Sequence, residues 1–196
     1  MGFLGFPRVW PRGAALYRAE PSARLRQEPK CIWLTGLPAS GKTTLAHALE
    51  QRLRKTGRHA YVLDGDDLRL GLCNDLGFSE ADRIENIRRA AEVARLMFDA
   101  GLIVIVALVS PFRAQRQAAR RLFSDGEFVE VFVDTPLREC ERRDPKGMYA
   151  MARRGELDDF TGIGSRYERP ERPEARVDGA VMSVEESLDR VLRRLE

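Results

Sequence analysis

Cysteine is scarce in this 196-residue chain: its three copies, Cys31, Cys73 and Cys140, lie far apart and form no CxxC pair. That spacing argues against a disulfide framework or a zinc site and fits a reducing, cytoplasmic setting. Long hydrophobic runs are also missing. The longest, Leu102 to Val109, falls far short of the roughly 20 residues that cross a bilayer, so it reads as a buried strand and no membrane partner is expected. Neither sign of charge dominates, because 33 Lys+Arg face 30 Asp+Glu for a net charge of +3. So small an excess gives no reason to expect nucleic acid as a partner, and any anion binding must be local. No internal repeat or low-complexity tract is present, which sets repeat architectures aside. Acidic residues are absent before Glu20, and no core periodicity is visible from Met1 to Pro29, a stretch broken by Pro7, Pro11, Pro21 and Pro29. Poverty in serine and the prolines argue against a transit peptide. The expected organisation is a partly ordered arm over residues 1–29 and one compact domain over 30–196, long enough for a sizeable core.

The most informative stretch is Gly36-Leu37-Pro38-Ala39-Ser40-Gly41-Lys42-Thr43, continued by Thr44. It follows the apolar run Cys31 to Thr35 and opens an amphipathic segment, the strand–loop–helix context of a phosphate-binding loop. Gly36 and Gly41 let the backbone curl its N–H groups toward an anion. Lys42 can then reach the β- and γ-phosphates of ATP, the Thr43 hydroxyl can ligate Mg²⁺, and the following helix offers its positive end to the same charge.

Strand and helix patterns alternate beyond it. Leu45, Ala48, Leu49 and Leu53 share one helical face, which Gly57 ends. A strand at Ala60 to Leu63 runs into Asp64-Gly65-Asp66-Asp67, which puts carboxylates just past a strand's carboxyl end, where open α/β sheets bind ligands. Ser79 reads as the cap of a helix that continues through Ile84, Ile87, Ala91, Val93 and Phe98 to Gly101. Leu102 to Val109 should be a central strand covered on both faces, a helix should begin near Pro111 with proline in its first turn, and Phe128 to Val133 supplies another strand. The order βαβαβαβ predicts an α/β fold, a doubly wound parallel sheet flanked by helices in a three-layer sandwich of the P-loop kinase kind. Residues 143–167 carry four glycines and little periodicity, which predicts a mobile active-site lid.

A phosphate loop alone says only that a nucleotide binds. Asp64 and Asp66, separated by one flexible residue, can serve a metal and an attacking hydroxyl. Phe78, Arg83 and Asn86, with Arg88 and Arg89 nearby, combine an aromatic ring, guanidiniums and an amide. That set suits an anionic acceptor containing a base.

With these residues in view the chain resembles the adenylylsulfate kinases, which phosphorylate the ribose 3′-hydroxyl of adenosine 5′-phosphosulfate with MgATP. The resemblance runs from about Cys31 to Arg169. It is carried by Gly36 to Thr43, Leu63 to Asp66, Asp75 to Ser79, Asp82 to Arg89, Ser110 to Arg113, Val133 to Pro136, Arg143 to Gly147 and Phe160 to Ile163. It implies that Arg69, Phe78, Arg83 and Asn86 bind the adenylyl sulfate, with Phe160 closing over the adenine and Lys146 near the charged end. It implies Lys42, Asp64 and Asp66 as the catalytic set. Thr43 and Asp66 are the candidate Mg²⁺ ligands, Asp66 by way of water, and the division of labour between Asp64 and Asp66 stays open. The family assigns the serine at Ser110 as a phosphoserine intermediate. A hydrogen-bonding part stands equally, because P-loop kinases generally transfer in line without a covalent stop. A homodimer and a separate ATP sulfurylase as functional partner are also implied. The sequence departs from the family at Pro38-Ala39, Asp67 and Gly164, and in a lid that reads Met148-Tyr149-Ala150-Met151 without the usual lysines. Fewer mobile cations there imply weaker nucleotide or substrate affinity. Two alternatives are a small-molecule kinase with another acceptor, which the Phe78, Arg83 and Asn86 set disfavours, and a non-catalytic adenylyl-sulfate sensor, which should have lost Lys42 or the acidic pair.

Overall fold

The fold is built on Cys31–Thr35, five consecutive fully buried residues that form the middle strand, β1, of a five-stranded sheet. A computed structural model describes residues 25–195; most of the expected N-terminal arm, residues 1–24, lies outside the described residues. The other strands are β2 (Ala60–Asp64), β3 (Ile103–Ala107), β4 (Phe128–Val133) and β5 (Ala175–Val177), in the order β2-β3-β1-β4-β5. All four pairings are parallel; in register, Cys31 pairs with Val104 on one side and Phe128 on the other. The helices are α1 (Lys42–Lys55), α2 (Gly65–Leu70), α3 (Glu80–Asp99), α4 (Arg113–Arg120), α5 (Leu137–Arg143), α6 (Met148–Arg153) and α7 (Val184–Leu192).

Alternation along the buried strands sorts side chains to two faces. Ile32, Leu34, Ile105 and Val131 point to the layer of α1 and α7, where Leu45, Leu49, Leu188 and Val191 meet them. Cys31, Trp33, Val104, Val106 and Phe128 point to the opposite layer, against Ile87, Ala90, Ala94 and Phe98 of α3 and Ala119 of α4. The result is the three-layer α/β architecture expected. The strand order reverses around β1, so its carboxyl end opens between diverging connections, the place where such sheets bind ligands. No helix among the described residues is long and apolar enough to cross a membrane.

Two expectations need correction. β3 is buried throughout but stands second from the edge, with β1 in the middle, because β4 and β5 extend the sheet on the far side. α4 starts at Arg113 with Phe112 as its cap, so Pro111 sits before the helix rather than in its first turn. Within residues 143–167, α6 packs Tyr149 and Ala152 with Cys140 and Phe160 into a small third core. This segment has its own hydrophobic support. β5 and α7 were not anticipated, although Ser183 and Glu186 form a capping box that the spacing Ser-x-x-Glu announces.

Leu49 is wholly buried where α1 meets the sheet. Leu49→Ala should destabilise the fold by about 3 kcal/mol, read as a lower urea midpoint with unchanged slope.

Candidate active site

Close packing at the carboxyl end of β1 dictates the shape of the loop that follows. A Cβ on Gly36 would lie 2.5 Å from the Val133 carbonyl and 2.9 Å from Ser40 Oγ, so only glycine lets the chain turn there. Gly41, at φ 105°, is the left-handed cap from which α1 departs. Lys42 Nζ folds under the loop and donates to the carbonyls of Gly36 (3.0 Å) and Leu37 (2.7 Å). The side chain is 8% exposed, and burial lowers its ammonium to about 8 against the opposing pull of Asp64 and Asp66. Residues Pro38 to Thr44 line a cavity of about 650 Å³; Gly36 and Leu37 do not reach its wall and act through the carbonyls that hold Lys42.

Asp64 closes β2 and caps α2, so the expected acidic turn is a strand end joined to a short helix. Its Oδ1 accepts from the Asp66 N–H at 2.9 Å and its Oδ2 from the Thr43 hydroxyl at 2.7 Å. The carboxylate touching Thr43 is therefore Asp64, at 6% exposure. Asp66 is mostly exposed and forms an ion pair with Lys146 of the lid. Among the described residues no group of three or more His, Cys, Asp or Glu is arranged to hold a metal.

Across the cavity, Phe78 is half exposed, with the Arg69 guanidinium 4.3 Å and the Arg83 guanidinium 5.7 Å from its ring centre. Arg69 is aimed by the carbonyls of Leu76 (3.1 Å) and Gly77 (3.0 Å). Arg83 donates to Phe78 O (2.8 Å) and, across to the lid, to Asp159 O (3.0 Å). Asn86 lies one turn further along α3 on the same cavity wall, and its buried Nδ2 has no protein partner. Phe160 faces the cavity from the lid and is anchored edge-on against Tyr149, ring centres 4.9 Å apart. The structure thus brings Arg69, Phe78, Arg83, Asn86, Lys146 and Phe160 to one cavity shared with the phosphate loop and the acidic pair.

Ser110 also borders this cavity but is 2% exposed and held at φ 40°. Its hydroxyl accepts from Trp33 Nε1 (3.1 Å) and donates to Thr35 Oγ1 (2.9 Å), while Arg116 donates to its carbonyl at 2.7 Å. Both hydroxyl functions are thereby used in holding the turn after β3.

The sequence reading gave no role to Tyr149, whose hydroxyl donates to Pro38 O at 3.0 Å, nor to Arg143, which donates to the carbonyls of Ser40 and Gly179. Arg143 opens the Arg143–Gly147 motif, and Tyr149 stands in the divergent stretch Met148 to Met151 that follows it. Their partners, more than thirty residues away in sequence, gave no local signal.

The model for the family described as adenylylsulphate kinase matches residues 28–178. The adenylyl-sulfate kinase of Marinobacter nauticus is 53% identical over 179 residues, covering 91% of this chain and 90% of the relative. The bifunctional enzyme NodQ of Rhizobium sp. (strain N33) is 61% identical over 163 residues, which are 83% of this chain and 25% of NodQ. The chain thus spans about a quarter of that bifunctional relative and nearly all of the Marinobacter one. The structure of the Mycobacterium tuberculosis APS kinase CysC in complex with AMPPNP and APS superposes with a TM-score of 0.82 at 49% identity, covering 86% of this chain and 98% of that one. The chain belongs to the adenylylsulphate kinase family.

The lowered Lys42 titration has opposite consequences for binding and folding. Nucleotide phosphates favour the ammonium, so affinity for ADP should be flat below about pH 8 and roughly tenfold weaker by about pH 9, as fluorescence titration would read. In the nucleotide-free protein the unfolded lysine titrates near 10.5, so this group adds stability as pH rises from about 8 to 10.5. An ADP affinity independent of pH across this range would contradict the assignment.

Proposed function

We propose that the chain transfers the γ-phosphoryl group of ATP to the ribose 3′-hydroxyl of adenosine 5′-phosphosulfate, giving ADP and 3′-phosphoadenosine 5′-phosphosulfate. The observation that carries this reading is the single cavity in which the phosphate loop and acidic pair face Phe78, Arg69, Arg83 and Asn86. A neutral polyol acceptor would not call for an exposed ring flanked by two guanidiniums.

In this reading the loop amides and Lys42 bind the ATP phosphates, and Lys42 follows the charge that develops on the transferring group. Phe78 stacks on the acceptor's adenine, with Phe160 on its other side, and Asn86 Nδ2 gains a partner from the bound nucleotide. Arg69 and Arg83 take the phosphosulfate oxyanions. Asp66 accepts the proton of the 3′-hydroxyl, with Lys146 leaving its ion pair to the substrate's negative end. The hard oxygen donors of Thr43 and Asp64, in hydrogen-bond contact, fit Mg²⁺, which takes few protein ligands and completes its shell with water and phosphate. Thr43 and Asp64 would therefore hold the metal, which leaves Asp66 to the 3′-hydroxyl. Bound there, Mg²⁺ would neutralise charge on the β- and γ-oxygens. Ser110 acts structurally in this scheme, because its hydroxyl is buried and doubly bonded.

The family also leads us to place the protein in the cytoplasm as a homodimer, supplied by an ATP sulfurylase. The bifunctional relative, matched over a quarter of its length, supports such a link to a second activity.

Steady-state assay with both nucleotides tests the scheme. Lys42→Ala should lower kcat by about 10²–10³-fold, and Asp66→Asn by a similar factor with little change in the KM for ATP. Phe78→Ala should raise the KM for adenylyl sulfate about tenfold and leave that for ATP unchanged. Tight adenylyl-sulfate binding without turnover in the unaltered protein would instead mark a sensor.

A further inference from the structure

Val133-Asp134-Thr135-Pro136 matches the family pattern, yet the scheme above gives it nothing to do. Thr135 follows the end of β4, is 3% exposed, and its hydroxyl donates to the carbonyl of Ser40 in the phosphate loop at 2.7 Å. The Ser40 carbonyl and the Gly41 N–H belong to one planar trans peptide, so they point in opposite directions. A carbonyl held toward Thr135 therefore turns the Gly41 N–H the other way.

Two further residues converge on the same carbonyl. Arg143 Nη1 lies 3.4 Å from Ser40 O, and its Nη2 donates to Gly179 O. Gly179 sits so close that a Cβ would collide with Thr135 Oγ1 and come within 2.8 Å of Ser40 O. The segment after β5 thus backs Thr135 against the loop, and a side chain at Gly179 would push the hydroxyl away.

We propose that Thr135, backed by Gly179 and Arg143, is a positioning residue for the donor nucleotide: it fixes the Ser40–Gly41 peptide so that the Gly41 N–H faces the ATP phosphates. The assignment rests on the donor half of the proposed function, binding of ATP by the Gly36–Thr44 loop. It acts on phosphate affinity and leaves the acceptor subsite alone, because Thr135 does not line the cavity that Phe78, Arg83 and Asn86 share.

The test is calorimetric titration of the purified full chain with ADP, alongside KM for ATP and for adenylyl sulfate and a thermal melt. The variants are Thr135→Val, Thr135→Ala, which adds no bulk, Thr135→Ser, Gly179→Ala and the double variant Thr135→Ala/Gly179→Ala. Thr135→Val and Thr135→Ala should weaken ADP about five- to tenfold and raise the KM for ATP in step, while the KM for adenylyl sulfate stays within about twofold. Thr135→Ser, which keeps the hydroxyl, should recover nearly all of the loss. Gly179→Ala should resemble Thr135→Ala, and the double variant should fall short of the product of the two losses, since both act on one carbonyl. Unchanged ADP affinity in Thr135→Val and Thr135→Ala would overturn the assignment. So would equal losses toward ADP and adenylyl sulfate that track the melting temperature and are not recovered by serine. If the unaltered chain fails to bind ADP, the donor reading itself falls; if it binds and the variants bind equally, only the role of Thr135 falls.

Discussion

A hollow lined by backbone N–H groups can exist only if the carbonyls of the same loop turn outward and find donors there. That constraint organises this protein. Gly36 O is taken by Lys42, Leu37 O by Lys42 and by the N–H of Ser40, Pro38 O by the Tyr149 hydroxyl, Ser40 O by Thr135, and Gly41 O by the first turn of α1. The donors come from the loop itself, from the lid, from the end of β4 and from α1. A loop of eight residues is in this way tied to elements spread over more than a hundred positions of the chain. The parallel sheet brings the end of β1 beside that of β4, close enough that Gly36 tolerates no side chain against Val133.

The same ties connect the two halves of the cavity. Thr43, on the first turn of α1, donates to Asp64 at the end of β2, and Asp64 in turn caps the helix that carries Asp66 and Arg69. The phosphate loop and the helix of Asp66 and Arg69 therefore share one hydrogen-bonded path through a buried carboxylate. The lid spans both: Tyr149 holds the phosphate loop, Lys146 pairs with Asp66, and the carbonyl of Asp159 receives Arg83 from α3. It is anchored by a small core of Cys140, Tyr149, Ala152 and Phe160.

Much of this could be read from sequence because the signals are local. Glycine spacing announced the phosphate loop, period-3.6 leucines announced α1, and Ser79 announced α3, whose cap bond to the Asp82 N–H is present. That Phe78, Arg83, Asn86 and Phe160 share one site is what the family resemblance implied, and the four line one cavity. What sequence could not supply depends on contacts between distant segments. Thr135 and Ser40 are 95 positions apart, Tyr149 and Pro38 are 111, and nothing in the residues around either announces the bond. The start of α4 was misplaced because the proline before it was read as part of the helix, whereas Phe112 is the cap. β5 is only three residues long, too short for alternation to declare itself, although the capping box that begins α7 was there to be seen. For Ser110 the family motif and the physical argument pulled apart, and burial between Trp33 and Thr35 supports the hydrogen-bonding part.

Placing donor and acceptor in one cavity, with the Ser110 hydroxyl engaged elsewhere, makes the central claim a single direct displacement at phosphorus. The stereochemical course of transfer from ATP chirally labelled at its γ-phosphorus to the 3′-hydroxyl of adenosine 5′-phosphosulfate tests that claim most directly. One in-line step predicts inversion of configuration in the isolated product. Retention would mean two displacements through a phosphorylated residue, and would contradict both the direct path and the structural role given to Ser110.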